Sequence, residues 1–318
     1  MRARFAAGWR TGAAVALPAL LACACGSAVP LASATHAPKK TALPSASPTP
    51  SPSPSPARKH HHKHAAASRT SSATSTSSGA PPSQPTTPAV ASGCQSTFVP
   101  AYFYASGDWA QAIDTRPAPG VMLLNVDSGP GTGPLSHFQT LTRQAQAAGI
   151  TVLGYSSTEY GQRSISSVEA DVRDYKSWYG VNGIFLDLTQ GTSGEFSYYQ
   201  QLSSYIHSQV SGADIWLNPG SFPEPSFMSI ANVVMVFEGS YASYVSDQVP
   251  SWVRQYSPSQ FAHVIYATPQ SDFASAVSLS RSRRAGHLFV TNLPGSPNPY
   301  GSMPSYWSQE AQTTEGGC

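Results

Sequence analysis

Eight short runs of aliphatic, β-branched and aromatic residues recur between residues 98 and 293, and a segment of helical character follows each of the first seven. The predicted strands are Phe98–Tyr104, Val121–Asp127, Thr151–Ser157, Gly183–Leu188, Asp214–Asn218, Val233–Glu238, Ala262–Ala267 and His287–Leu293. Predicted helices are Pro134–Ala148, Ser166–Tyr179, Phe196–Val210, Tyr241–Gln255 and Asp272–Ala285, with shorter crossovers at Asp108–Ile113 and Pro223–Ile230. Gly149 and Gly286 each end a helical segment just before a strand, where a C-capping glycine belongs. Strands that alternate with crossovers in this number predict a (β/α)8 barrel of the TIM type. An open doubly wound sheet is the competing architecture, but the first strand lacks the Gly-rich phosphate loop of that fold.

Charge divides the chain in two. Residues 1–93 hold nine of the 18 Lys and Arg and none of the 16 acids, so the remainder carries a formal charge of −7. An acidic globular part does not fit a nucleic-acid partner, which needs a basic face. The N-terminal stretch reads as an export signal over residues 1–26. Arg2, Arg4 and Arg10 precede an apolar run, Ala13 to Ala22, that is too short to span a bilayer alone. Its end, Leu20-Leu21-Ala22-Cys23, resembles a bacterial lipobox with Cys23 as the lipidated residue, although Cys25 stands close by. The expectation is an exported protein anchored on the outer face of the cytoplasmic membrane, or else secreted.

Residues 27–93 are rich in Ser, Thr, Pro and Ala and cannot bury enough apolar surface to offset their ordering entropy. They read as a spacer. Within it lies Lys59-His60-His61-His62-Lys63-His64, which suits a basic contact with anionic wall polymer better than a dedicated metal site. The domain proper, 94–318, begins and ends on its two cysteines, Cys94 and Cys318. An oxidising compartment and a barrel's neighbouring termini predict that they pair. Closing so long a loop contributes up to about 5 kcal/mol in the chain-entropy model.

In a barrel of this kind, side chains at the carboxyl ends of the strands converge on one mouth. The strand ends supply Tyr104, Asn125, Asp127, Tyr155, Asp187, Asn218, Glu238, Tyr266 and Asn292, with Glu159 just beyond the third strand and Trp216 on the same strand face as Asn218. Acids, amides and aromatic rings together suit a sugar, whose apolar faces stack while its hydroxyls take hydrogen bonds. Asp187 and Glu238 each close an apolar strand, and paired carboxylates are the usual equipment for glycosidic cleavage. The bland alternative is that each acid caps the helix after its strand. Two such acids on two strands favour catalysis, with the other nine residues as substrate contacts. Competing chemistries lack their motifs: His137, His207, His263 and His287 have no zinc-site spacing, and neither a Gly-x-Ser-x-Gly elbow nor a Walker sequence is present. No metal or cofactor is called for.

The ordered set Val99-Pro100-Ala101-Tyr102-Phe103-Tyr104, Asn125-Val126-Asp127-Ser128-Gly129-Pro130-Gly131, Gly154-Tyr155, Thr158-Glu159-Tyr160, Gly183-Ile184-Phe185-Leu186-Asp187, Leu217-Asn218-Pro219-Gly220 and Phe237-Glu238 resembles spherulation-specific family 4, the spherulin-4-like proteins. The resemblance spans 98–293. It implies a (β/α)8 barrel and, from characterised fungal members, endo-acting hydrolysis of α-1,4-linked N-acetylgalactosamine polymers. In that family the fourth strand typically ends Asp-Glu and the sixth Phe-Glu. Here Asp187 and Glu238 match the outer two acids, and Leu188 stands in place of the middle one. Strand alternation predicts that Leu188 turns away from Asp187 into the helix layer. The expected function is therefore a monomeric, surface-anchored hydrolase of an amino-sugar polysaccharide. A catalytically silent carbohydrate-binding barrel is the alternative, and a scaffold without a sugar ligand the third reading.

Overall fold

A computed structural model describes residues 94–103 and 107–316. The predicted export signal with Cys23, the predicted spacer with its histidine tract, Tyr104 and Cys318 lie outside the described residues. Eight parallel strands close into a barrel in sequence order. They are β1 (Ser96–Ala101), β2 (Val121–Leu124), β3 (Thr151–Ser157), β4 (Gly183–Asp187), β5 (Asp214–Leu217), β6 (Val233–Ser240), β7 (Phe261–Tyr266) and β8 (His287–Val290). The α-helices are α1 (Gly107–Asp114), α2 (Ser136–Ala147), α3 (Ile165–Asp174), α4 (Phe196–Gln209), α5 (Tyr241–Ser246), α6 (Phe273–Ser282) and α7 (Trp307–Thr314). The crossover between β5 and β6 has only the 3-10 turn Pro225–Ser229. The arrangement is a (β/α)8 barrel, as the spacing predicts.

One predicted helix is broken by an identifiable residue, and a second holds its expected end but changes pitch. Tyr241–Gln255 is α5, an extended stretch and a 3-10 turn at Ser251–Gln255. Pro250 lacks an N–H and disfavours helical backbone in the residue before it. The segment Ser166–Tyr179 begins as α3, widens into a π turn at Tyr175–Tyr179, and stops at Gly180 with φ 64°. The helix α7 has no counterpart among the predicted elements. Its Glu310 accepts the Val290 N–H, and Glu315 just beyond accepts from Ser96 Oγ, the Thr97 N–H and the Gly120 N–H. Glu315 thereby ties the starts of β1 and β2 together at the end of the barrel remote from the mouth, while Glu310 anchors the helix to the carboxyl end of β8.

The interior is filled from below by large rings. Phe98 stacks on Trp216 at 4.9 Å between centroids and on Phe185 at 5.7 Å. Trp216 is fully buried, and its indole N–H donates to Asp214 at 3.0 Å. Close strand contact needs glycine at two points. A Cβ on Gly183 would lie 1.9 Å from the Asp214 carbonyl oxygen, and one on Gly154 2.5 Å from the Tyr175 ring. This packed floor carries the polar layer above it, because alternate residues share a face: Phe185 leads to Asp187, and Trp216 to Asn218.

Candidate active site

Glu238 reaches the mouth through an irregularity in its strand. The pairing of β6 with β7 shifts between Met235 and Phe237. Met235 and Glu238 both line the interior, whereas Phe237 packs outward on Tyr244 at 4.5 Å. Uninterrupted alternation from Met235 would have turned Phe237 inward. The extra residue re-aims the strand, a common use of a bulge beside a functional site.

Asp187, Asn218 and Glu238 form one hydrogen-bonded unit. Asn218 Nδ2 donates to Asp187 Oδ1 at 2.8 Å and to Glu238 Oε2 at 2.6 Å. Since one nitrogen touches both, these oxygens are no further apart than the two bonds laid end to end, 5.4 Å. The amide's orientation is fixed from behind. Gly220 N–H donates to Asn218 Oδ1 at 2.9 Å, so the NH₂ group must face the acids. A tyrosine then holds each carboxylate on its far side: Tyr155 donates to Asp187 Oδ2 at 2.8 Å, and Tyr300 to Glu238 Oε1 at 2.5 Å. Tyr102 packs against both rings, 5.7 Å from Tyr155 and 5.6 Å from Tyr300.

Burial pushes the Glu238 carboxyl above the ordinary carboxylate range. Hydrogen bonds from Tyr300 and Asn218 oppose that rise, and the charge of Asp187 adds to it. Tyr155 and Tyr300 are both raised, first by burial and then by the neighbouring carboxylate, so each phenol keeps its proton and acts as a donor. A buried carboxyl that favours protonation beside a second carboxylate is the arrangement that separates an acid from a base or nucleophile. Among the described residues no group of three or more His, Cys, Asp or Glu is placed to hold a metal ion.

Above the pair opens a cleft of about 380 Å³, bordered by Tyr160, Leu188, Pro219, Tyr266 and Pro299. Such a volume lies within the range of about 300–1,000 Å³ for small-ligand sites. Leu188 does not enter the helix layer. It has φ 48°, is 37% exposed and faces the cleft. The strand ends at Asp187, and alternation ends with it. The left-handed turn is held because the Leu188 carbonyl accepts from Tyr160 N–H at 2.7 Å and Thr158 Oγ1 at 2.8 Å. Tyr160 is itself left-handed, with φ 57°. Strained backbone of this kind needs surrounding contacts that fix it and is common at ligand sites. It brings Leu188 and the half-exposed Tyr160 to one rim.

The other predicted contacts separate into two groups. Tyr155, Asn218 and Tyr266 adjoin the carboxylates or the cleft. Trp216 is a correction: its ring is sealed in the barrel floor and offers no face to a ligand. Asn125 is spent on its own loop, accepting Gly129 N–H, and Asp127 on that loop is exposed and absent from the cleft lining. Glu159 is likewise exposed and off the lining, and its charge acts on Arg163. Asn292 Oδ1 accepts the Ser305 N–H and so orders the chain leading to α7. Tyr300 and Leu188 are among the cleft residues that the strand ends misplace or omit, as are Tyr160 and Pro299. Tyr300 comes from the irregular segment after β8, where no periodic signal marks it.

Comparison with known proteins gives the same grouping. The model of spherulation-specific family 4 matches residues 96–314. Spherulin-4 of Physarum polycephalum is 31% identical over 229 residues, which cover 67% of this chain and 68% of that protein. Among solved structures, Aspergillus clavatus Sph3 in complex with GalNAc aligns with a TM-score of 0.62 at 25% identity, covering 70% of this chain and 98% of Sph3. By family match, identity and fold, the chain belongs to spherulation-specific family 4.

Proposed function

We propose that the barrel is a glycoside hydrolase acting on an amino-sugar polysaccharide, an endo-α-1,4-N-acetylgalactosaminidase in type. The observation that carries this reading is the single Asn218 amide holding Asp187 and Glu238 no more than 5.4 Å apart, oxygen to oxygen, beneath an open cleft. Carboxyl groups about 5–5.5 Å apart belong to retaining enzymes, and those about 6.5–9.5 Å apart to inverting ones. Glu238, inclined to protonation by burial, gives its proton to the glycosidic oxygen as the C–O bond breaks. Asp187 bonds to the anomeric carbon from the other side. Water then displaces Asp187, losing its proton to Glu238 and restoring both groups. The GalNAc bound to Sph3 supports the choice of sugar. The same proposal includes export, anchoring through Cys23, the spacer over 27–93, action as a monomer and a Cys94–Cys318 clasp, which the disulfide-bonded state of Cys94 supports.

Leu188 favours a second reading, a sugar-binding barrel that does not cut, because an apolar residue stands in the cleft where the family pattern places an acid. One experiment separates the two. The full chain is incubated with α-1,4-galactosamine polymers, acetylated and free. Oligosaccharide release that disappears in both Asp187→Asn and Glu238→Gln supports the hydrolase. Binding without release, with cutting gained by Leu188→Glu, supports the silent barrel.

A further inference from the structure

Three fixed donors surround the two acids, and they differ in what they allow. Asn218 Nδ2 has two hydrogens and no free lone pair, so Asp187 Oδ1 and Glu238 Oε2 can only accept from it. A proton on Glu238 therefore belongs on Oε1. The neighbour there is the Tyr300 hydroxyl at 2.5 Å, a group that can turn between donating and accepting. Tyr300 is mostly buried, and its ring is held by Tyr102 and by Phe289, 6.4 Å away between centroids. Its backbone N–H is fixed by Asn298 Oδ1 at 2.8 Å. The phenol is thus placed by the segment following β8, independently of β4, β5 and β6, which carry Asp187, Asn218 and Glu238.

We propose that Tyr300 is a positioning residue that holds the working proton of Glu238 on Oε1 and sets the pH range over which that proton stays. When Glu238 is ionised, the Tyr300 hydroxyl donates to Oε1. When Glu238 is protonated, the hydroxyl accepts from Oε1 until that proton passes to a leaving oxygen, and it then turns back to donate. Tyr300 keeps its own proton throughout, so no charge moves onto the phenol. The groups facing Glu238 are Asp187 from β4, Asn218 from β5, Tyr300 from the last segment, and Tyr102, Tyr155 and Tyr266 around the mouth. Among these Tyr300 and Asn218 stabilise the carboxylate, while Asp187 opposes it.

The assignment of a working proton rests on the hydrolase reading, so the test measures titration apart from turnover. Full-length protein with ¹³C-carboxyl glutamate is titrated by NMR without substrate, Glu238 being assigned by its loss in Glu238→Gln. Tyr300→Phe keeps the ring and removes the hydroxyl. Losing a hydrogen bond to the charged form should raise the Glu238 midpoint by about one to two pH units. Tyr155→Phe, which strips the equivalent hydroxyl from Asp187, should move it far less. In the enzyme, the alkaline limb of kcat/KM should follow the Tyr300→Phe shift. An unmoved Glu238 midpoint in Tyr300→Phe, or an equal shift in Tyr155→Phe, overturns the proposal even where the polymer is cut. The predicted shift in a chain that cuts nothing upholds the Tyr300–Glu238 coupling and refutes the hydrolase reading instead.

Discussion

Gly220 N–H donates to Asn218 Oδ1 at 2.9 Å, and this one backbone bond decides which end of the Asn218 amide meets the two acids. Gly220 holds it from a left-handed conformation, φ 64°, that glycine adopts without a Cβ penalty. The consequence is a donor shared by two carboxylates that would otherwise repel across the same space.

Replacing Asn218 with alanine removes that shared donor and frees both acids to rotate. If the barrel is a hydrolase, kcat/KM should fall by about 10²-fold or more, as when a preorganised donor is lost. The Glu238 midpoint should also rise, because Asn218 helps to hold it down. Asn218→Asp should be worse, since it adds a third carboxylate. Steady-state kinetics on soluble polymer checks the loss. A variant with natural kcat would remove Asn218 from the machinery.

Leu188 supplies an apolar rim, and its role should separate from that of the acids. Leu188→Ala is expected to raise KM several-fold while leaving kcat within a few-fold, since deleting about three carbon atoms from an apolar rim contact weakens binding by roughly 1–3 kcal/mol at most. Asp187→Asn should instead lower kcat by about 10²–10⁴-fold. Parallel kinetics of the two variants makes the comparison. Equal losses of kcat would show that Leu188 shapes the reacting geometry rather than the rim.

The barrel was legible in the sequence because each strand is a compact apolar run bounded by turn residues, a signal that needs no knowledge of distant contacts. Asp187 and Asn218 were legible for the same reason, each two residues beyond a buried ring on its own strand. Trp216 shows the limit of that reasoning: alternation assigns a face but not a depth along the barrel axis. Glu238 illustrates another limit, since its inward orientation depends on a pairing shift that only the neighbouring strand reveals. Tyr300 is the extreme case. It lies 62 residues from its partner, in a segment whose conformation is set by tertiary contacts and not by periodicity.

Gly183, at the start of the strand that delivers Asp187, is fixed by space and not by backbone angle. A Cβ there would lie 1.9 Å from the Asp214 carbonyl oxygen, a backbone atom that cannot turn aside. Gly183→Ala should therefore force β4 and β5 apart and destabilise the domain by about 1–3 kcal/mol or more, the range for overpacked sites. Urea denaturation should report a lower midpoint with an unchanged slope. Natural stability in this variant would mean that β4 and β5 are not packed as described.

Asp214 gives a pH-dependent test of the barrel floor. Burial raises its carboxyl from 3.8 to about 6, partly offset by the Trp216 indole bond, and Oδ1 has no hydrogen-bond partner among the described residues. A raised folded-state value means that the native protein holds the proton longer than the unfolded chain. The contribution is then fully present below about pH 4 and is lost as pH rises through about 6. The loss is on the order of 3 kcal/mol, from 1.36 kcal/mol per unit. Buried His263 and His287 act in the opposite sense, with values lowered to about 3 and about 4, so the natural chain alone would show a mixture. Asp214→Asn isolates the carboxyl while keeping an acceptor for the indole. Relative to the natural chain, it should gain stability between pH 4 and 7 and show little difference at pH 3.5. Denaturation curves of both proteins across that range measure the gap, and a gap independent of pH would mean that Asp214 titrates alike in the folded and unfolded chains, so that burial in the barrel floor does not raise it.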